Sequence, residues 1–404
     1  MYHCFIILIV IFIILKLIVK IKYRFWSIQP VFHYYNIFYW LYPPGIIHKD
    51  LPKINKYVNL VNIKSAKTEE YSDVEKDKII YFIKQYYLRN KYAEYNPNIN
   101  SIMDYLLCSS HSGYICIYKE PSILTSNKGL IKDEQYSGVI TARPLYVTLY
   151  KKKEMPVYYV DNLCVHKAYR KKGIAPKLIQ TLYYNLRHNN KNITTFLFKR
   201  EGRQNAFVPL VRYKTYGYKL SLLPTAGLFN NEYTLIEINS VNFIAFRELL
   251  MRKKKKYDCV VLLDLACAIN LLEKKNIFIY GLLHKNQLIT AYIFRDAKVK
   301  YSNSSQPDGG KNVDIENTIE AICSLGKDYA SEDIFYIGFR EALERCKTNV
   351  NIENVLIEET GNNHNIIDKM KHYNTSYFIK SPTSFFFYNY GCYSISERNC
   401  LLFY

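Results

Sequence analysis

One stretch limits the folds open to this chain more than any other. Val160-Asp161-Asn162-Leu163-Cys164-Val165 reads as a strand, His166 to Lys172 as a short basic turn, and Gly173-Ile174-Ala175-Pro176 as the opening of a helix. Strand-like runs precede it at Tyr114–Tyr118 and Gly138–Ala142, and its own strand extends over Val157–Val165; a helix is expected from about Lys172 to Arg187, and another strand at Ile193–Phe198. Several strands, a helix and a returning strand make an α/β (α+β) arrangement. The turn suits an anion. A helix start presents unpaired backbone N–H groups and a partial positive charge, Gly173 and Ala175 allow close approach, and Arg170, Lys171 and Lys172 add charge. The competing reading is an ordinary helix start carrying solvated lysines.

A second round resembles the first. It begins near Phe246, with a helix expected around Cys259–Leu272 and strands at Ile277–Leu282 and Leu288–Phe294. A polar surface loop is expected at Tyr301–Asn312, then a helix capped by Ser331 and running to about Cys346, and strands near Ile352–Glu358 and Ser384–Tyr390. In the first round, Ser72 and Glu75 have the spacing of a capping box before a helix with apolar positions at Ile79, Ile80, Phe82 and Ile83. The expected division is an anchor at 1–22, an arm at 23–57 and two α/β halves at 58–245 and 246–404.

The formal charge of +20 predicts attraction to polyanions: nucleic acid, anionic lipid or the phosphates of a cofactor. The ten cysteines include no CxxC pair, so neither a metal site nor a disulfide scaffold is expected. Cys164 reads as a core thiol rather than a nucleophile. From Tyr2 to Ile21 only Lys16 and Lys20 bring charge, over about the 20 residues that span a bilayer. No Lys or Arg precedes this run, whereas Lys20, Lys22 and Arg24 close it, which argues against a cleaved signal and places the body in the cytosol. A single-pass membrane protein is therefore expected; the competing reading is a buried N-terminal helix or strand.

The residues at 163–176 also carry a family resemblance. Arg-x-x-Gly-x-Ala after such a strand resembles the acyl-CoA pyrophosphate loop of the GNAT superfamily. More specifically, Leu163-Cys164-Val165-His166-Lys167 with Arg170, Lys172 and Ala175-Pro176 resembles the N-myristoyltransferase segment NFLCVHKxLRSKRxAP, with Asp161, Asn162, Lys171 and Gly173 as departures. Tyr23-Arg24-Phe25-Trp26-Ser27-Ile28-Gln29-Pro30-Val31 resembles the same family's YxFWxTQPV arm. Phe246–Met251 with Val260–Leu263 is similar to the opening of its second half, and Tyr388-Asn389-Tyr390-Gly391-Cys392 to its YNWxC.

The resemblance implies a GNAT-like acyl-CoA N-acyltransferase fold of two pseudo-symmetric halves, preceded here by a transmembrane helix. It implies myristoyl-CoA as acyl donor and N-terminal glycine peptides or proteins as acceptors, with no metal, no nucleic acid and a monomeric state. Tyr23, Arg24, Phe25, Trp26, Asn162, Leu163, Cys164, Val165, Arg170, Lys171, Lys172, Gly173, Ile174, Ala175 and Pro176 would bind the donor. The backbone N–H groups of Asn162 and Leu163 would hold the oxyanion, and the terminal carboxylate of Tyr404 would be the base. On the peptide side the pattern departs: the family's RYxHR segment faces Val211-Arg212-Tyr213-Lys214-Thr215 here, and its late Gly-Asp-Gly is replaced by Lys380-Ser381-Pro382. Alternatives are a GNAT-type enzyme with another acyl-CoA or acceptor, and a degenerate membrane-tethered binding protein.

Overall fold

The computed structural model describes residues 2–88, 93–126, 129–202, 207–225, 227, 229, 232–302, 315–326, 328 and 330–404; the side chains of 2, 4, 5, 8, 121–134, 302 and 315 lie outside that description. In chain order the first elements are α1 (Tyr2–Lys22), α2 (Ile37–Leu41), β1 (Gly45–Ile46), β2 (Ile63–Lys67), α3 (Asp73–Tyr86), β3 (Ala93–Tyr95) and α4 (Asn100–Leu107). The central run is β4 (Tyr114–Ser126), β5 (Gly129–Leu149), β6 (Met155–Val165), α5 (Ile174–Asn189), β7 (Thr195–Glu201), β8 (Val211–Lys219), β9 (Tyr233–Ile238) and α6 (Phe243–Lys254). Then come β10 (Cys259–Leu262), α7 (Leu265–Glu273), β11 (Ile277–His284), β12 (Gln287–Ser302), β13 (Ile315–Leu325), α8 (Glu332–Val350), β14 (Asn354–Glu358), α9 (Asn363–His372), β15 (Ile379–Tyr388), β16 (Tyr390–Gly391) and β17 (Cys400–Phe403).

One large sheet joins nearly all of these strands in the order β17-β10-β5-β6-β7-β15-β8-β14-β13-β12-β11-β9, with β4 and β2 branching from β5 and β3 paired to β12. Two similar units stand out. In the first, the antiparallel strands β4, β5 and β6 lead through α5 to β7, which lies parallel to β6. In the second, antiparallel β11, β12 and β13 lead through α8 to β14, parallel to β13. This is the two-half architecture expected from the sequence, but the halves exchange strands. β10 and β17 of the second half complete the edge beside β5 of the first.

Both faces of the sheet are covered, so apolar residues fill both phases of the strand alternation. On β4, Tyr114, Cys116 and Tyr118 pack in the cluster that includes Leu178, Leu182 and Leu186 of α5. Ile115 and Ile117 face the opposite way, toward Ile79, Ile83, Ile102 and Leu106 of α3 and α4. The capping box at Ser72 and Glu75 starts α3 as expected, and Ser331 accepts from the Ile334 N–H at the start of α8.

Three expectations change. The helix foreseen from Cys259 is a strand first: Cys259-Val260-Val261-Leu262 are fully buried as β10 between β5 and β17, and Asp264 caps α7 only afterwards. Four consecutive apolar residues fit a strand buried on both faces, which helical periodicity does not separate from a buried helix. Cys108 and Cys267 form a disulfide between the end of α4 and α7; a separation of 159 residues leaves no spacing signal for it. The loop foreseen at 301–312 starts inside β12, and its remainder lies outside the described residues.

Residues Tyr2–Lys22 do form one helix of 21 residues. Among the described residues, however, no helix is long and apolar enough to cross a membrane. The transmembrane expectation also depends on side chains at 2, 4, 5 and 8, which lie outside the description.

Candidate functional site

The site grows from the place where β6 leaves its neighbours. β6 and β7 pair in parallel from Val157 and Thr195 to Val160 and Phe198, and no pair follows. On the other side, the register with β5 slips between Val139 and Thr141. The residue at the slip is Asn162, whose φ of 52° lies in the left-handed region that asparagine tolerates better than most residues. This is a β-bulge, a device that re-aims backbone and side chains.

Side chains of the bulge hold it in shape. Asn162 Nδ2 donates to Thr141 Oγ1 at 3.0 Å, and Thr141 Oγ1 donates to the Asp161 carbonyl at 3.1 Å. Asp161 Oδ1 accepts from the Asn162 backbone N–H at 2.8 Å and from the Tyr87 hydroxyl at 3.0 Å. Burial first, and the Asp161 charge second, hold the Tyr87 phenol well above its ordinary value, so it stays protonated as a donor.

Behind the bulge opens a cavity of about 290 Å³. Its walls are mainly apolar, from Ile140, Leu182, Phe196 and Phe198, with Asp161, Lys199 and Arg200 as charged exceptions. That volume lies at the lower edge of the roughly 300–1,000 Å³ of ligand pockets. Trp26 closes one side, stacked on Phe198 with ring centroids 5.8 Å apart. The arm is pinned by the other end of the chain: Tyr388 donates to Gln29 Oε1 at 2.5 Å, and the Asn389 N–H donates to the Pro30 carbonyl at 2.6 Å. The Gln-Pro and Tyr-Asn motifs, 359 residues apart between Gln29 and Tyr388, therefore meet in one place.

Beyond the bulge comes the basic turn. His166 accepts from the Ala168 N–H at 3.2 Å and shapes the turn, a structural role. Arg170 does not point freely outward: its Nε donates to the Val165 carbonyl and its Nη2 to that of Tyr86, each at 3.2 Å. Lys171 and Lys172 remain exposed beside the start of α5. Gly173 precedes α5 with φ 79° and no side-chain cap. A Cβ at Gly173 would meet nothing, so glycine is used there for its backbone conformation. The first N–H groups of α5 are thus left without a capping side chain.

The remaining foreseen residues divide. Leu163 joins Asn162 in the cavity wall. Ile174 is buried under β5, and Val165 packs on the α5 side. Ala175 and Pro176 are half-buried in the first turn of α5. Cys164 faces the α3 and α4 side as a core residue, its thiol pushed up to about 12 by burial. In the arm, Phe25 is buried against Tyr57, Tyr23 is half-buried and Arg24 is exposed. Tyr404 is 1% exposed, its ring 5.0 Å from that of Phe385 and 5.5 Å from that of Tyr159. Its hydroxyl donates to Glu358 at 2.8 Å and accepts from Lys199 at 3.0 Å.

Lys199 is therefore the link between the cavity wall and the last residue of the chain. Burial would push its ammonium down, but Glu320 and Glu358 outweigh burial and hold it well above its ordinary value. Sequence reading placed Tyr87 only among the helically spaced positions after Ser72 and Glu75 and Lys199 only in the Lys199-Arg200-Glu201-Gly202 stretch set against the family's peptide side, and Asp161 entered it only as a departure from a motif. A lysine ending the apolar run Thr195–Phe198 was the available signal for Lys199. Helical spacing gave Tyr87 a packing position, not its hydrogen bond to Asp161.

With this geometry in view, similarity to known proteins becomes informative. Residues 87–207, from Tyr87 through α5 and β7, match the acetyltransferase (GNAT) family. No curated protein sequence matches the chain. Among solved structures, N-myristoyltransferase of Saccharomyces cerevisiae with bound myristoyl-CoA is similar over 92% of this chain and 94% of that one, at 14% identity and a TM-score of 0.67. A second structure of the yeast protein with bound myristoyl-CoA gives 93% and 90% coverage, 15% identity and a TM-score of 0.68.

This chain has the N-myristoyltransferase fold. The bulge, the turn before α5 and most of the cavity wall fall inside the segment that matches the GNAT family, while Trp26 and Tyr388 complete the wall from outside it. The arm at 23–31 and β17 lie outside it.

Proposed function

We propose that this chain transfers a myristoyl group from myristoyl-CoA to the N-terminal glycine amine of proteins. The observation that carries this reading is the order of features along one strand-turn-helix unit. The bulge at Asn162, the apolar cavity behind it and the uncapped start of α5 follow one another as a thioester, its acyl chain and a pyrophosphate would need.

The chemistry follows from those parts. The glycine nitrogen attacks the thioester carbon, the carbonyl oxygen gains charge, and the C–S bond breaks to release the CoA thiolate. Backbone N–H groups of Asn162 and Leu163 would receive the developing oxyanion, which side-chain divergence does not remove. Lys171, Lys172 and the N–H groups opening α5 would hold the diphosphate. The apolar walls take the acyl chain through burial of hydrocarbon, worth about 0.8 kcal/mol per CH₂. A carboxylate must take the ammonium proton first, and the family resemblance gives that task to the terminal carboxylate of Tyr404.

The same reading places the body at the cytosolic face of a membrane, with α1 as anchor. A 21-residue helix is about 31 Å long. Its outward side chains, such as Ile6, Ile7, Leu15, Leu17 and Ile21, are exposed apolar groups. A helix apolar all round belongs in a protein core or in lipid.

Mass spectrometry tests the reaction. The detergent-solubilised full chain, incubated with myristoyl-CoA and a Gly-starting peptide, is expected to add one myristoyl group at the N-terminal amine. Product from acetyl-CoA alone would reassign the acyl chain, and no product from either would overturn the reading. Topology is read from the sequons at Asn192, Asn303 and Asn374, expected to stay unglycosylated in microsomes.

A further inference from the structure

Away from the cavity, the short helix α2 holds large apolar side chains in water. Ile37, Phe38 and Leu41 of α2, and Tyr42 just behind it, are 56%, 76%, 62% and 80% exposed. The helix beneath them is well held. Asn36 Oδ1 accepts from the Tyr39 N–H at 3.4 Å, the Trp40 indole donates to the Tyr34 carbonyl at 2.9 Å, and the Tyr393 hydroxyl donates to the Trp40 carbonyl. His33 bridges to Phe207 before α2, and β1 pairs with β16 after it. The body therefore fixes an apolar knob at both of its ends, and ordered apolar surface of this kind marks an interaction site.

Composition and position indicate what covers the knob. From Phe25 to Ile47 the chain has no Lys, Arg, Asp or Glu, whereas Lys20, Lys22 and Arg24 stand just before that stretch. Tyr and Trp among aliphatic residues, with basic residues at the border, is the composition of a membrane–water interface. The knob is also continuous with α1, since only residues 23–36 separate the two helices. Their roots share one face of the sheet. Arg200 on β7 and Arg212 on β8 both stand opposite Ser384 of β15, so they lie on the same face two strand spacings, about 10 Å, apart. Arg200 lies beside Tyr23 at the foot of α1, and Arg212 donates to the Tyr34 hydroxyl at 3.4 Å at the foot of α2. Among the described residues neither arginine pairs with a carboxylate.

We propose that α2 is a second membrane contact, in which Ile37, Phe38, Leu41 and Tyr42 enter the interfacial layer of a bilayer while Arg200 and Arg212 face its anionic headgroups. This rests on α1 anchoring the chain in that bilayer. A lone anchor sets how far the body lies from the membrane but not how it is turned. A second contact on the same face sets both. Apolar side chains sink to the boundary of the acyl chains and the arginines stay at headgroup level, the division of labour in interfacial helices. Each arginine adds attraction to an anionic leaflet, which fades beyond a Debye length. Arg200 also belongs to the cavity wall, so the bilayer lies beside the cavity rather than across the body from it.

The test uses the full chain in phosphatidylcholine vesicles that contain phosphatidylserine, with the photoreactive p-benzoylphenylalanine in place of Phe38 or Tyr42. On irradiation, mass spectrometry is expected to find lipid adducts at both positions. The same probe in place of Tyr81, an exposed residue of α3 on the opposite side of the sheet, should give none. Arg212→Gln should lower the adduct yield by up to about fivefold. That difference should vanish when phosphatidylserine is left out or salt is raised. A chain that resists alkaline extraction yet gives no lipid adduct at 38 or 42 would overturn the α2 contact and leave α1 as the anchor. Adducts to a second copy of the chain instead of lipid would also overturn it, making the knob a dimer face. Release of the unmodified chain by alkali would sink the anchor reading and this inference with it.

Discussion

Lys199 Nζ lies 3.0 Å from the hydroxyl of Tyr404, so the final residue of the chain is wired to the wall of the cavity. Around this contact, Lys199 also reaches Glu320 at 3.2 Å and pairs with Glu358, while Arg295 Nε donates to Glu320 at 3.0 Å. These groups are drawn from β7, β12, β13 and β14, so the cluster ties the two halves together at the point where their sheets join.

The two carboxylates of this cluster should respond oppositely to pH. Burial alone would raise Glu320, but Arg295 and Lys199 overcome it and hold the carboxyl below its ordinary range. Its ionisation therefore supports the fold above the unfolded value of about 4.3, and that support fades as pH falls. Glu358 is pushed up by burial, so the fold binds its proton more tightly than the unfolded chain does, and stability falls as pH rises through its raised value. We expect Glu320→Gln to cost about 3–5 kcal/mol at neutral pH, as when one partner of a buried pair is removed, and Glu358→Gln to cost less. Urea unfolding across the acid range checks both, with the gap between E320Q and the unmodified chain narrowing as pH falls.

The basic turn separates into two kinds of cation. Arg170 is committed to the carbonyls of Val165 and Tyr86, whereas Lys171 and Lys172 are exposed beside the opening of α5. Removing both lysines to alanine should weaken acyl-CoA binding about tenfold, at about 0.7 kcal/mol each near a helix start. The loss should shrink as salt screens the exposed charges. Arg170→Ala should weaken binding with little salt dependence, because it acts by loosening the turn. Titration calorimetry at low and high salt distinguishes the two.

Motif order and apolar alternation made much of this legible. Strand, turn and helix at 157–187 are placed nearly where the pattern put them, because both faces of β4 to β6 are buried and the capping signals are local. The Gln-Pro of the arm and the Tyr-Asn near the end were each readable, yet their hydrogen bonds to each other were not, since contact across hundreds of residues leaves no spacing. β10 was read as helix because a short apolar run carries no period. The roles of Tyr87 and Lys199 escaped for a related reason. Their importance comes from what tertiary packing brings beside them.

The cavity should set acyl-chain length. Leu182 is a buried residue of α5 facing the same space as Phe196 and Phe198. Leu182→Trp would fill part of it from a rigid helix rather than from a loop. The expected outcome is a large fall in affinity for myristoyl-CoA and little change for acetyl-CoA, whose acyl group stops at the bulge. Competition binding of the two thioesters reads this directly, with thermal unfolding as a control for overpacking, which typically costs 1–3 kcal/mol.

Backbone, not side chain, should matter at Asn162. Its φ of 52° is costly for most residues and free for glycine, while its N–H is the donor assigned to the oxyanion. Asn162→Gly keeps both the N–H and the left-handed conformation, losing only the 3.0 Å bond to Thr141. Its transfer rate should stay within a few-fold of the unmodified enzyme. Asn162→Val also keeps the N–H, but a β-branched residue resists this conformation, at about 1–2 kcal/mol, and would pull the bulge toward regular strand. Its rate should fall by about a hundredfold, matching the loss of one oxyanion donor, while binding of free CoA at the turn persists. Equal activity in the glycine and valine variants would show that the donor lies elsewhere on β6.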